Sequence, residues 1–343
     1  MEFGWDIPNV HHGFGLDSYA VGDRYSEGVA VNIDTFRYAV ERAERIGFGA
    51  IWVADHVLFP DKSAASHPLG YRANTGRADD NAGEGNNVRS GDPTFEAITT
   101  MSFLAGRTSK VRIGVGVLVI PYRNPVLTAK MLATLDVLSE GRIILAAGVG
   151  WLKEAFEALG ADYAHRGAVT DEYLDIMKVI WQDPSPSYTG RFYTLPPGLQ
   201  YNPRPVQKPH IPIWIGGVSR PALRRAATRG SGWLGVYQTP EATAEMHATL
   251  RDLLRRADRS DAEFTFAHRL RFQVTDADGG DQPCIGSPQK IADSIRRYHD
   301  LGVGHLQLAP PPGPTTADLL EQADRFAEQV RPLIADLWPG RTD

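Results

Sequence analysis

The fold is decided by one stretch: Val111-Arg112-Ile113-Gly114-Val115-Gly116-Val117-Leu118-Val119, the Asn124-Pro125 step, a helical period through Leu127, Met131, Leu135 and Leu138 to Gly141, then Ile143-Ile144-Leu145-Ala146-Ala147-Gly148. The outer runs are short, apolar and rich in β-branched residues, as strands are, while the segment between them keeps its large apolar residues on one helical face. Asparagine before proline caps and opens a helix, and glycine past the last apolar residue closes it. The stretch reads as a strand–helix–strand unit, the element from which parallel sheets are built.

Outward from this unit the pattern recurs. Strands are expected at 3–7, 50–54, 111–119, 143–148, 211–216, 232–236, 265–274 and 303–308. Ile33, Phe36, Val40, Ala43 and Ile46 share another helical face before Gly47, and Asp92-Pro93 and Ser287-Pro288 repeat the capping step. Eight such units favour a TIM (β/α)8 barrel over a doubly wound open sheet, with chemistry on the loops that leave the strand C-termini. Neither Gly114-Val115-Gly116 nor Gly148-Val149-Gly150 completes the Gly-x-Gly-x-x-Gly of a dinucleotide fold.

The chain has 343 residues, and a barrel of this kind needs about 250. The surplus falls in three insertions, 9–30, 60–92 and 184–209, so residues 1–343 are read as one domain. The second insertion is rich in Gly, Asn, Asp and Arg and is expected to form a lid; the third reads as a small hairpin with a proline-rich return. Hydrophobic residues make up 42% and charged residues 22%, with no apolar run approaching a membrane span, which excludes membrane and disordered classes. A net charge of −5 without a basic tract excludes nucleic acid as a partner and leaves a small-molecule substrate. Cys284 is the only cysteine, so there is neither an intrachain disulfide nor a cysteine zinc cage. Residues 1–8 read as a first strand rather than a signal peptide, and a cytoplasmic location is expected.

The strand ends together resemble the bacterial luciferase-like monooxygenase superfamily, and more closely its branch of oxidoreductases that use the deazaflavin coenzyme F420. The residues that carry the resemblance begin with 47–56, Gly-Phe-Gly-Ala-Ile-Trp-Val-Ala-Asp-His, and 112–118 with Asn124-Pro125. Gly141-Arg142, Gly148-Val149-Gly150-Trp151, Pro212-Ile213-Trp214-Ile215-Gly216-Gly217 and Gly230-Ser231-Gly232-Trp233 complete them. The resemblance implies a luciferase-like barrel and a non-prolyl cis peptide at Gly116-Val117 that backs the cofactor ring. It also implies a catalytic His56, beside Asp55, facing the reactive carbon of the ring, and a homodimer.

A tricyclic ring needs a flat apolar slot, and its ribityl phosphate needs N–H donors. Gly114 and Gly116, inside a strand pattern, mark a bulge or a close approach of ligand to backbone. Gly148, Val149 and Gly150 approach the cofactor from the fourth strand, with Trp151 as a lip. Gly216-Gly217-Val218-Ser219 leads into a helix whose positive end suits a phosphate, with Ser219 as cap and Arg220 as added charge. His56 can exchange a proton near neutrality. His11 and His12 are expected to line the mouth, and no ligand spacing for a metal exists.

One departure bears on substrate. The sugar-phosphate dehydrogenases of the F420 branch carry Gly-Val-Gly-Thr-Gly-Glu here, whereas this chain reads Gly148-Val149-Gly150-Trp151-Leu152-Lys153, with the nearest acid, Glu154, expected on the helix surface. Ser287-Pro288-Gln289-Lys290 matches Ser-x-x-Lys only as a helix cap. The expected function is an F420-dependent oxidoreductase that moves a hydride to or from a small organic substrate. The alternatives are a monooxygenase that uses reduced FMN and O2, and a non-catalytic flavin-binding relative.

Overall fold

In the computed structural model, residues 1–7, 33–58, 95–277, 279–310 and 316–338 are described. The barrel strands are β1 (Glu2–Asp6), β2 (Ala50–Val53), β3 (Arg112–Val119), β4 (Ile143–Gly148), β5 (Ile213–Gly216), β6 (Gly232–Val236), β7 (Thr265–Arg271) and β8 (His305–Ala309). Every neighbouring pair is parallel, and β1 pairs with both β2 and β8, so the sheet closes as a TIM barrel. The eight runs read from the sequence are these strands. The seventh ends early: Phe272 is buried, and Gln273–Val274 pairs with Ile285–Gly286 outside the barrel.

The helices are α1 (Ile33–Ile46), α2 (Ala97–Arg107), α3 (Pro125–Leu138), α4 (Lys153–Ala158), α5 (Arg166–Gln182), α6 (Arg220–Arg229), α7 (Pro240–Arg256), α8 (Pro288–Asp300) and α9 (Thr316–Arg325). Asn124 caps α3 by accepting from the Val126 and Leu127 amides, and Ser287 caps α8 through Lys290 N–H. The capping step at Asp92-Pro93 lies outside the described residues, and α2 is capped instead by the Glu96 carboxylate on Thr99 N–H at 2.7 Å. Val40, Ala43 and Ile46 are buried on α1 as expected.

The apolar face expected on α3 is corrected. Leu127 and Leu138 are 59% and 71% exposed, and the helix buries Thr128, Ala129, Leu132, Ala133, Leu135 and Asp136. Small residues on the inner face bring α3 close to the barrel, and rotate two large leucines outward.

Inside the barrel, Trp52 and Trp214 stand 5.4 Å apart with Ile144, Leu234 and three alanines around them. A methyl group at Gly4 or Gly114 would overlap Trp52, and one at Gly232 would overlap Trp214, so these glycines exist to admit the indoles. Trp52 Nε1 donates to His305 Nε2 at 3.1 Å, which leaves the ring proton on Nδ1 for the Glu2 carboxylate at 2.8 Å. Glu2 and His305 open their strands, so this plug fills the end where the strands begin.

The insertions at 9–30 and 60–92, with His11 and His12, lie outside the described residues. The one at 184–209 holds the expected hairpin, Tyr188–Thr189 antiparallel to Thr194–Leu195, and returns through Asn202-Pro203 and Lys208-Pro209, both cis. Glu172 on α5 anchors its tip by accepting the amides of Arg191, Phe192 and Tyr193. Among the described residues no helix is long and apolar enough to cross a membrane.

Candidate active site

The C-terminal ends of the strands surround a cavity of about 490 Å³. Asp55 and His56 after β2, Gly116 and Val117 in β3, Gly148 to Trp151 after β4, and Gly216 to Ser219 after β5 line it as read from the sequence, whereas Arg220 and Gly114 are not among its lining residues, Gly114 facing Trp52 instead. His56 and Trp151 face each other edge to face, with centroids 6.5 Å apart.

The peptide Gly116-Val117 is cis, and the pairing of β3 with β4 shifts register there. The glycines around it are explained differently from the sequence reading. A methyl group at Gly148 would overlap Val117 Cγ2, and one at Gly216 would overlap Val117 Cγ1. Both glycines make room for the Val117 isopropyl group, which is wedged between β4 and β5 as part of the cavity wall. Close approach of the backbone to a ligand is therefore not their first role.

Asp55 is buried, and its carboxylate is already engaged: Arg123 donates to both oxygens at 2.7 Å and the Val119 amide to one at 2.8 Å. Arg123 also reaches Glu96 at 2.8 Å. Burial alone would lower the pKa of the Arg123 guanidinium, but the bond to Asp55 and its charge outweigh that and raise it. Asp55 thus fixes the turn after β3 rather than presenting a free carboxylate to a ligand.

Where β5 meets α6, Ser219 caps the helix by accepting the Ala222 amide at 3.4 Å. Gly217 has φ +110°, a conformation that favours glycine, and Trp233 Nε1 holds its carbonyl at 2.7 Å. The Gly217 amide donates to the Leu234 carbonyl at 3.3 Å, so it is not part of an anion cradle as expected. Val218 and Ser219 line the cavity where α6 begins, at the positive end of that helix.

Three lining arginines escaped the sequence reading: Arg166, Arg225 and Arg269. Arg166 opens α5, its guanidinium 4.2 Å over the Tyr163 ring, and its buried Nε has no partner among the described residues. A cation in the first turn opposes the helix dipole. Arg225 ties α6 to α5 through Asp171 at 2.6 Å and the Gly167 carbonyl at 3.0 Å. Arg269 on β7 bonds Asp6 of β1 at 2.6 and 2.8 Å. Lys153 is exposed and pairs with Glu157 at 3.2 Å, while Glu154 is half-buried rather than on the surface. Among the described residues no cluster of His, Cys, Asp and Glu is placed to hold a metal ion.

The apolar slot beside Val117, the amides of Val218 and Ser219 and the orphaned Arg166 Nε fit a flavin or deazaflavin with its phosphate. Comparison with known proteins gives the family and the fold. The profile of the luciferase-like monooxygenases matches residues 1–278. An uncharacterised protein of Mycobacterium tuberculosis is 30% identical over 300 residues, 87% of this chain and 92% of that one. The FMNH2-dependent dimethylsulfone monooxygenase of Pseudomonas putida is 29% identical over 68% of this chain and 55% of its own length. The F420-dependent glucose-6-phosphate dehydrogenase of Amycolatopsis mediterranei is 28% identical over 59% and 52%. Among solved structures, an F420-dependent secondary alcohol dehydrogenase has a TM-score of 0.71 at 17% identity, covering 97% of this chain and 98% of that one. A long-chain alkane monooxygenase reaches 0.74 at 15%, covering 100% and 93%.

Proposed function

The chain belongs to the luciferase-like monooxygenase family, and from that premise we propose that it is an oxidoreductase moving a hydride between coenzyme F420 and a small organic substrate. The observation that carries the reading is that one cavity holds both kinds of group. Arg166, Val218 and Ser219 line it together with His56, which stands edge to face with Trp151. The Val117 wedge, packed against Gly148 and Gly216, would back a planar ring.

When bound, the deazaflavin supplies a ring carbon that gives or takes a hydride. The chain's own groups do the rest. The amides of Val218 and Ser219, with Arg166, hold the phosphate. Val117 and Gly148 to Gly150 shape the slot and exclude water from its floor. His56 gives a proton to, or takes one from, the substrate oxygen as that atom's charge changes, a contribution typically worth ~10²–10⁴-fold. Asp55, through Arg123 and the Val119 amide, holds the β3 turn against which the ring would rest.

A second reading, a monooxygenase that uses reduced FMN and O2, is favoured by the Pseudomonas putida relative. The same slot and phosphate donors suit both rings. Titration of the purified protein with F420 and FMN, each oxidised and reduced, separates the two: F420 binding at least tenfold tighter supports the proposal. Tighter FMN binding with substrate-dependent O2 uptake moves the function to the second reading, and binding of neither overturns both. We also infer a homodimer, with the outward leucines of α3 as the apolar surface a second copy covers.

A further inference from the structure

Helices α5 and α6 are tied by the same pair of side chains twice, one turn apart: Arg225 with Asp171 and Arg229 with Asp175. The two ties differ. Arg229 closes its fork on both oxygens of Asp175, with Nε at 3.0 and 3.1 Å and Nη2 at 2.9 Å. Arg225 gives Asp171 only Nε, at 2.6 Å, and turns Nη2 to the Gly167 carbonyl at 3.0 Å. Among the described residues its Nη1 has no partner. Arg229 is not among the residues that line the cavity, whereas Arg225 is, although only 6% of it is exposed.

Stability does not explain the difference. A buried ion pair holds two helices together no better than apolar packing of the same volume, and a guanidinium with an unbonded edge loses water without recovering the hydrogen bonds. Position explains it. Pro221, Ala222 and Arg225 line the cavity together, with Pro221 and Arg225 one turn apart on one face of α6. That face begins at the positive end of the helix, beside Val218 and Ser219. The Gly167 carbonyl that Arg225 holds follows Arg166 in the chain, and Arg166 lines the same cavity with its Nε orphaned among the described residues. Two guanidiniums therefore stand at the first turn of α5, each with a donor that no described group takes.

We propose that Arg225 is a ligand of the cofactor's phosphate, its Nη1 donating to a phosphate oxygen while Asp171 holds the guanidinium through Nε. This rests on the flavin or deazaflavin reading above and names the residue that separates a phosphorylated ring from the same ring without its phosphate. Arg225 is then a binding residue and Asp171 a positioning residue. Arg225 approaches from α6 and Arg166 from α5, so the anion joins two helices. A guanidinium presents several donors in one plane and suits a tetrahedral oxyanion. A neutral ribityl chain would leave those donors unused.

The test compares rings that differ in the phosphate alone: FMN against riboflavin, and 5-deaza-FMN against 5-deazariboflavin. Each is titrated against the purified protein and followed by the absorbance and fluorescence of the ring. The phosphorylated member of at least one pair should bind about tenfold tighter or more, as a charge-assisted hydrogen bond allows. Arg225→Met should cut that preference by about tenfold and leave affinity for the phosphate-free ring within about twofold. Arg229 Nη1 lies 3.8 Å from Asp171, so the carboxylate keeps a cation in this variant. Arg225→Lys, which keeps the charge and loses the fork, should fall between the two. Asp171→Asn keeps an acceptor for Nε, removes the competing charge, and should raise the preference. Equal binding of both members by the unchanged protein, or a preference that survives Arg225→Met, overturns the proposal and leaves the ring reading standing. So does an Arg225→Met protein that loses both members alike, or an Asp171→Asn protein that falls as far, since Arg225 would then be a strut between helices. Should no ring of either pair bind, the oxidoreductase reading fails, and thermal shift with inorganic phosphate decides the arginine: stabilisation lost in Arg225→Met supports the anion site, and no stabilisation overturns it.

Discussion

At the scale of single residues, Val117 governs the cavity. Its β-branched side chain has little freedom to turn, and Gly148 and Gly216 leave it the only space available. Gly216→Ala should therefore push Val117 toward the ring slot, destabilise the protein by roughly 1–3 kcal/mol as an overpacked site does, and weaken cofactor binding. Val117→Ala in the same chain should restore the stability, because it removes the methyl group that clashes. Denaturant unfolding and cofactor titration of the single and double variants check this, and a double variant no better than Gly216→Ala refutes the wedge. His56 makes the complementary case. His56→Ala should keep cofactor affinity within a factor of a few and lose about 10²–10⁴-fold in turnover; equal turnover would remove His56 from the chemistry.

At the scale of elements, α3 shows what sequence can and cannot tell. The expected face of Leu127, Met131, Leu135 and Leu138 follows side-chain size, yet the buried face carries Ala129, Ala133 and Thr128. A helix between a barrel and α5 needs small residues to come close, and periodicity does not weigh size in that sense. If a second copy covers the outward leucines, Leu138→Glu should shift the protein from dimer to monomer in light scattering with its thermal stability as a monomer retained. A wild-type monomer would remove that surface's role. The barrel strands were legible because short apolar or aromatic runs recur between helical periods, most plainly 113–119 and 143–147, and the site glycines because they fall at strand ends. Their cause was not legible, since Val117 meets Gly216 only once the barrel closes. Arg225 and Arg269 were hidden for the same reason: their partners, Asp171 and Asp6, lie far away in sequence.

At the scale of the whole molecule, one part of the packing between barrel and helices carries a titration. His247 on α7 and His268 on β7 are buried on either side of Trp233, their rings 5.7 and 5.9 Å from its centroid, and Tyr298 of α8 stacks on His268 at 5.5 Å. His268 Nε2 accepts the Gln238 amide, which puts the ring proton on Nδ1, and among the described residues neither that atom nor His247 Nε2 has a partner. Burial pushes His247 down to about 4 and His268 down to about 3, whereas in the unfolded chain each titrates near about 6.5. Between those values the unfolded chain binds more protons, so the stability these residues allow is complete above about pH 6.5 and is lost as pH falls. From pH 7 to pH 5 the loss should be about 2 kcal/mol for each histidine. Glu44 and Glu96 do not confuse this window, because the amides they accept outweigh burial and hold both below the ordinary value of 4.5. Urea unfolding at the two pH values measures the loss. His247→Asn keeps a donor for the Leu301 carbonyl, which His247 Nδ1 meets at 3.0 Å, and does not titrate, so it should reduce the difference between pH 7 and pH 5 by about 2 kcal/mol, while His268 and the half-buried His210, which burial also lowers, keep theirs. A pH dependence identical to that of the unchanged protein would mean that the charge on His247 is not what the fold excludes.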